Sequence, residues 1–361
     1  MTVSIDKLLE LMFEKEASDL HIHSGSPPIL RIDGELKKAT SEELTGDQCQ
    51  NIIYSILTEK QKEVFEGENE LDLSFGVKGL GRVRMNVYMQ RQAVCASMRA
   101  IPNKFYTFEE LGLPGAVNDV VKLPVGLVLV TGPTGSGKST TLASIINYLN
   151  ENRKSHIVTI EDPIEYVHEH KDCLVSQREL GSDTKTFPTA LKYAMRQDPD
   201  IIMVGEMRDV ETIAAALTIA ETGHLVFATL HTPDAPQSIN RIIDVFPPHQ
   251  QPQIRSQLSM VLQAVFCQKL LQRSKHKGGG LALAVEVLMV TPGIRNMIRE
   301  DKTEQIGSAM QTGGNVGMQT MNQALYRLYK KGDISYEQAL EHCSDKKDMK
   351  RIIGGSANNN Y

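Results

Sequence analysis

A chain of 361 residues has room for two globular domains, since domains mostly run to roughly 100–200 residues. Hydrophobic residues at 41% and charged residues at 23% form an ordinary soluble balance, which argues against a low-complexity or collagen-like chain. A net charge of -5, with 5% aromatic residues and no tryptophan, argues against a general nucleic-acid binder, which needs basic surface and stacking platforms.

The N-terminal residues carry acids and bases throughout, so a signal peptide is not expected. No run approaches the roughly 20 apolar residues that cross a bilayer; Val125–Val130 is short and Leu281–Val290 is interrupted by Glu286. Cys49, Cys95, Cys173, Cys267 and Cys343 scatter without a C-x-x-C pair. Free thiols in a reducing, cytoplasmic compartment are therefore expected, and a structural zinc site is not.

In chain order, Leu8, Leu9, Leu11, Met12 and Phe13 form a helical apolar cluster. Strands are predicted at Leu20–His23 and Ile29–Ile32, joined through Gly25, Ser26, Pro27 and Pro28. A helix is predicted over Gln48–Phe65, then strands at Glu70–Phe75, Arg82–Gln90 and Ala93–Ile101. His21 and His23 alternate with apolar residues and read as sheet positions. This makes a small α+β domain over 1–101, followed by a Pro/Gly-marked linker at 102–118 that includes Pro102, Gly112, Pro114 and Gly115.

From 119 to 353 the pattern becomes short apolar strands alternating with helices. The strands are Gly126–Thr131, Ile157–Ile160, Ile201–Val204 and Leu225–Leu230; helices are predicted at Gly137–Asn150, Pro188–Arg196 and Val210–Glu221. Such alternation indicates a parallel sheet covered on both faces. The last hundred residues are predicted to be largely helical, with a disordered tail at 354–361.

The strongest motif is Gly132, Pro133, Thr134, Gly135, Ser136, Gly137, Lys138, Ser139, which matches G-x-x-x-x-G-K-[ST] between a predicted strand and a predicted helix. Glycines let main-chain amides turn towards phosphate, and the helix start adds partial positive charge. Lys138 is expected to reach the outer phosphates and Ser139 to ligate Mg2+, with Thr140 next in the nucleotide-binding run.

Hydrolysis also needs a group that readies water. Asp200–Glu206 is an apolar strand ending in an acid, but Gly205 stands where a metal-facing aspartate is usual. Glu206 is the candidate for polarising the attacking water, on a strand expected beside that of the phosphate loop. Glu161 or Asp162, at the end of the Ile157–Ile160 strand, is expected to help hold Mg2+. His231 ends the strand His224–His231 where it can sense the γ-phosphate; His224 lies at its opposite end, near a neighbouring element or subunit.

Together the phosphate loop at 132–139, the acidic box Thr159–Tyr166, the atypical Walker B with Gly205, Glu206, Met207, Arg208 and Asp209, and the histidine box at 224–235 resemble the secretion ATPase superfamily, specifically the PilT family of pilus retraction motors. The likeness spans essentially the whole chain, including the start Ser18, Asp19, Leu20, His21. It implies an N-terminal PAS-like domain, a RecA-like P-loop ATPase core, and a homohexameric ring with nucleotide between the domains. It also implies phosphate-reaching arginines, matching Arg84 and Arg99, with Arg82 as a further candidate. Gly293–Glu300 is close to the retraction signature A-I-R-N-L-I-R-E, with Ile294, Met297 and Ile298 on one helix face and Arg295 and Arg299 on another.

Assembly members of that superfamily usually carry an additional N-terminal domain and often a four-cysteine zinc element, so the resemblance, with no paired cysteines and a start directly at the PAS-like domain here, implies retraction over assembly. The resemblance implies work on an inner-membrane platform protein, and through it on pilin, with no nucleic acid as partner. An accessory retraction paralogue, an assembly ATPase, a RecA-like nucleic-acid motor and a nucleotide sensor without turnover are the alternatives.

Overall fold

The computed structural model describes residues 4–32, 34–101, 104–274, 276 and 278–357. It separates into two compact units, one holding residues up to 104 with Glu165–Val167, the other Phe105–Ile164 with His168 onwards. Pro102 and Asn103, at the head of the predicted linker, lie outside the described residues.

The first unit runs α1 (Ile5–Glu14), β1 (Asp19–Ile22), β2 (Ile29–Ile32), β3 (Glu35–Lys38), α2 (Gly46–Tyr54), α3 (Glu59–Glu68), β4 (Glu70–Val77), β5 (Gly81–Gln90) and β6 (Ala93–Ile101). Its strands form an antiparallel sheet in the order β3-β2-β1-β6-β5-β4. Alternation sorts β5 into two faces: Val83, Met85 and Val87 enter the core with Leu9, Met12, Ile53 and Phe65, which leaves Arg84 exposed on the other side. The single helix predicted over Gln48–Phe65 is two helices. Thr45 with Gln48, and Thr58 with Gln61, each form a capping box, so the sequence carries two helix starts where apolar spacing suggested one. Strand β3 was not anticipated, because all four of its residues are exposed and leave no apolar signal.

The second unit begins with α4 (Phe108–Leu111), α5 (Val117–Val120), β7 (Gly126–Thr131), α6 (Lys138–Asn152), β8 (His156–Glu161), β9 (Leu174–Glu179) and α7 (Phe187–Ala194). It continues through β10 (Ile201–Val204), α8 (Val210–Glu221), β11 (Leu225–Leu230), α9 (Ala235–Asp244), α10 (Gln251–Val261), β12 (Leu262–Gln272) and β13 (Leu281–Met289). The closing helices are α11 (Pro292–Arg299), α12 (Ile306–Thr312), α13 (Met321–Lys330), α14 (Tyr336–His342) and α15 (Lys346–Ala357).

The sheet order is β13-β12-β7-β11-β10-β8-β9, parallel except for β13. Every residue of β7, β10 and β11 is buried, because helices cover both faces. Leu127 and Leu129 join one core with Ile213 and Leu217 of α8, while Val128 and Val130 join the other with Leu142 and Ile145 of α6.

Three expectations are corrected. The strand of Glu206 is not beside that of the phosphate loop: β11 stands between β10 and β7. The last hundred residues are not mainly helical at their start, where β12 and β13 pair as a hairpin on the edge of the sheet. A short apolar run reads alike as buried strand or buried helix, and only the pairing decides. Finally, α15 carries the chain to Ala357, into the predicted tail, whose residues 358–361 lie outside the described ones.

Candidate active site

The parallel register brings four loops to one edge of the sheet. Thr131 pairs with Leu230, Ala228 with Val204, and Val204 with Ile160, so β7, β11, β10 and β8 all end at about the same level. The residues that follow are the phosphate loop, His231, Gly205-Glu206 and Asp162. Carboxyl ends of parallel strands are where ligands bind in such folds.

At the phosphate loop, Gly132, Gly135 and Gly137 have φ of 140°, 76° and 85°, a region that other residues rarely adopt. A Cβ at Gly132 would lie 2.4 Å from the carbonyl oxygen of Gln268, so glycine is also required for space. Gly137 leads into the 15 residues of α6 with no side-chain cap. Most other helices of this unit open with a capping Thr, Ser or Asp side chain. The amides at the start of α6 are thus left for an external acceptor. Lys138 Nζ donates to the carbonyls of Gly132 (2.8 Å) and Pro133 (3.0 Å), folded back over the loop. Ser136 is buried, and its Oγ has no partner among the described residues. An open helix start, a lysine over a glycine loop and an unsatisfied hydroxyl fit a polyphosphate group.

Glu206 leaves β10 and is gripped from two sides. Arg208 donates to both carboxylate oxygens, Nε to Oε1 at 2.6 Å and Nη2 to Oε2 at 2.7 Å. His231 Nε2 lies 3.2 Å from Oε1. Partial burial pushes the carboxyl up, but Arg208 and His231 outweigh it and hold Glu206 below the ordinary glutamate range. The side chain is therefore a carboxylate, suited to orienting water. The arrangement also accounts for Gly205. A Cβ there would stand 3.2 Å from both Glu161 Cα and the Ile160 carbonyl oxygen, so β8 passes too close for the usual aspartate. Gly205 N–H donates to that Ile160 oxygen at 2.8 Å, and Thr229 Oγ1 donates to the Gly205 carbonyl.

The two acids considered for Mg2+ differ in setting. Glu161 is 7% exposed and accepts from Thr159 Oγ1 (2.6 Å) and Gln177 Nε2 (3.1 Å). Asp162 is exposed and contributes to the field that raises the Arg208 pKa, after Glu206 itself. Among the described residues no group of three or more His, Cys, Asp or Glu is arranged to hold a metal. Two acids at the end of β8, on the same sheet edge as the phosphate loop, fit Mg2+, which usually takes one or two protein ligands, substrate phosphates and water.

In the first unit, Arg84 and Arg99 face each other across β5 and β6. Like charges directly opposite are unfavourable, and an anion relieves them. Arg99 Nε donates to Asp19 Oδ1 at 2.8 Å, and Arg31 lies 3.6 Å from the other oxygen of Asp19. Arg82 Nη2 donates to Ser74 Oγ at 2.7 Å.

The remaining candidates lie elsewhere. His224, at the amino edge, places Nδ1 3.0 Å from the Ile219 carbonyl oxygen. Ile294 and Ile298 are buried in the core of the second unit. Arg295 donates to the carbonyls of Ser259 (2.7 Å) and Met260 (2.6 Å), satisfying the end of α10, while Arg299 donates to Asn296 at 2.7 Å. Sequence reasoning did not anticipate the grip of Arg208 on Glu206; the only signal was an arginine two positions on.

A family model described as type II/IV secretion system protein matches residues 1–340. The chain is 51% identical over 339 residues to the type IV pilus retractation ATPase PilT of Pseudomonas aeruginosa, covering 94% of this chain and 98% of that protein. It is 45% identical to a twitching motility protein of Neisseria gonorrhoeae, covering 89% of this chain and 86% of that one. A crystal structure of the pilus retraction motor PilT with bound ADP matches with a TM-score of 0.91 at 48% identity, covering 97% of this chain and 99% of the other. With a match that spans most of its length and relatives this similar across both units, the chain belongs to the type II/IV secretion system protein family, as one of its ATPases.

Proposed function

We propose that this ATPase drives retraction of type IV pili, working as a homohexameric ring on an inner-membrane platform protein and through it on pilin. The observation that carries the reading is the convergence on one sheet edge of the phosphate loop and the Glu206–His231 pair, in a chain 51% identical to a retraction ATPase. Likeness to the type IV pilus ATPase PilU of Pseudomonas aeruginosa is lower, at 40%. In the described residues no helix is long and apolar enough to cross a membrane. We therefore infer attachment from the cytoplasmic side through the platform protein.

In this reading residues 1–101 form the PAS-like domain, 102–118 the linker and 119–353 the RecA-like ATPase domain. Main-chain amides of 132–140 and the Lys138 ammonium hold the triphosphate. Ser139, with Asp162 or Glu161 acting through water, would hold Mg2+, which neutralises phosphate charge when bound. Glu206 orients water against the γ-phosphorus, and the bond to the bridging oxygen breaks. Arg84 and Arg99, with Arg82 behind them, neutralise developing charge, and His231 reports whether the γ-phosphate is present.

A deletion strain complemented with the Lys138→Ala protein tests the output. Abundant surface pili without twitching is expected; a strain with no pili would point to assembly. Phosphate release from ATP should require Mg2+ and stay unchanged when single-stranded DNA is added.

A further inference from the structure

Between the seven-stranded sheet and α9 the interior is apolar, except for a row of polar side chains that the reaction does not use. Thr131, Cys267 and Glu286 are register neighbours across β7, β12 and β13, at the level where the phosphate loop begins. Thr131 Oγ1 donates to Cys267 Sγ at 3.0 Å. Ser238 Oγ, on α9, lies 3.5 Å from Thr131 Oγ1, 2.7 Å from the Asp234 carbonyl oxygen and 2.6 Å from Thr232 Oγ1. Thr131 immediately precedes Gly132, and Thr232 immediately follows His231. Buried Thr131 and Ser238 and half-buried Thr232 therefore lie in contact between the entry of the phosphate loop and the histidine loop.

Glu286 ends this row beside Cys267. Its Oε1 accepts from the Ala235 amide at 2.9 Å and its Oε2 from the Met321 amide at 3.2 Å. These are the first residues of α9 and α13. One carboxylate thus takes the first amide of two helices that are otherwise capped by Asp234 and Thr320, of which one follows the His231 loop and the other opens the C-terminal helices. Burial pushes its carboxyl above the ordinary glutamate range, and the two amides only partly offset this. Burying such a group is costly, and an apolar side chain of similar volume would avoid that cost. It would also leave two buried helix-start amides without this acceptor, so what fixes a carboxylate here is the pair of helices that it joins.

We propose that Glu286 is a positioning residue for hydrolysis, which holds the His231–Thr232 loop against the phosphate loop and ties that alignment to the C-terminal helices through α13. The inference rests on the reading of His231 as the sensor of the γ-phosphate.

The test is Glu286→Gln in the full chain, which keeps the shape but sets an NH2 group against an amide N–H. ATP hydrolysis, ADP affinity and ADP stoichiometry are measured with and without His231→Ala. The kcat is expected to fall on the order of tenfold or more, with KM and ADP affinity changed less than about threefold and stoichiometry unchanged. In the His231→Ala background the second substitution should lower kcat no further. Wild-type kcat for Glu286→Gln, losses that multiply in the double variant, or a stoichiometry that falls in step with kcat would overturn the proposal. Wild-type kcat for His231→Ala removes the sensor reading itself, whereas an inert Glu286→Gln beside an impaired His231→Ala removes this inference alone. Should Glu286→Gln not fold, Thr232→Val leaves both helix starts closed and deletes the link to Ser238. The same loss confined to kcat is expected there, and an unchanged kcat is the contrary result.

Discussion

The two edges of the seven-stranded sheet treat the same residue type differently, and β11 shows this because a histidine flanks it on each side. At the amino edge, His224 turns Nδ1 to the Ile219 carbonyl oxygen at 3.0 Å, and its own carbonyl accepts from Gly126 at 3.0 Å. Its Nδ1 is engaged by the turn that feeds the strand, and its carbonyl by β7. At the carboxyl edge, His231 is 41% exposed on its side chain and lies 3.2 Å from the Glu206 carboxylate. Loops leaving parallel strands have no ladder to join, so their polar groups face one another and whatever binds there. Position along the strand, more than residue type, decides whether a histidine here meets a turn carbonyl or an acid.

The largest effect expected from this contrast is at Glu206. Glu206→Gln keeps the shape and an acceptor for Arg208 but removes the charge that readies water, and turnover should fall by roughly 10²–10⁴-fold with ADP binding retained. Activity near the wild-type level would empty the carboxyl edge of its chemistry. Because Arg208 and His231 hold the Glu206 carboxyl below its ordinary value of 4.5, its charge is present above that value and is lost only as pH falls through the lowered one. Arg208→Ala should move the acid limb of the rate profile upwards.

Next in size is the histidine pair itself. His231→Ala should lower kcat by about 10- to 100-fold, while His224→Ala in the isolated chain should stay within about threefold. Equal losses at both positions would mean that the edge does not decide the role.

What could be read in advance divides along the same line. The phosphate loop, four of the five inner strands (Gly126–Thr131, Ile157–Ile160, Ile201–Val204 and Leu225–Leu230), and the position of Glu206 at a strand end are written in local patterns. A glycine loop has few other uses, and short fully apolar runs between helices have few other folds. Pairings across long sequence distances were not legible. Glu286 reaches Ala235 and Met321, and in sequence it was only an interruption in an apolar run. The placement of β11 between β7 and β10, and of the β12–β13 hairpin on the edge, is likewise tertiary information that no periodicity carries.

A buried histidine extends the comparison into the interior. His168 stacks on Phe105 with ring centroids 4.7 Å apart, and its Nδ1 has no partner among the described residues. Burial, helped by Lys171, pushes the imidazole down to about 4 from 6.5. The unfolded chain then binds more protons between those values, so this contribution to stability is present above pH 6.5 and is lost as pH falls towards 4. Between pH 7 and 5 it amounts to about 2 kcal/mol. His168→Phe should flatten that part of the stability profile in denaturant unfolding at the two pH values. Parallel profiles for variant and wild type would show that His168 does not titrate this way.

The smallest effect is expected at Gly205, where the carboxyl edge is tightest. A methyl group there would meet Glu161 Cα and the Ile160 carbonyl oxygen, each at 3.2 Å. Both are backbone atoms of β8, tied to β10 through the Gly205 N–H at 2.8 Å. Neither can rotate away as a side chain would, so the strands must separate by a few tenths of an ångström. Gly205→Ala should therefore cost about 1 kcal/mol, towards the mild end of overpacking, read as a lower denaturant midpoint at unchanged slope. Gly205→Asp should cost more and fail to raise turnover, since a carboxylate forced into this gap displaces Glu206. If Gly205→Ala left the midpoint unchanged, β8 would be yielding, and close packing would no longer explain why a glycine stands where an acid is usual.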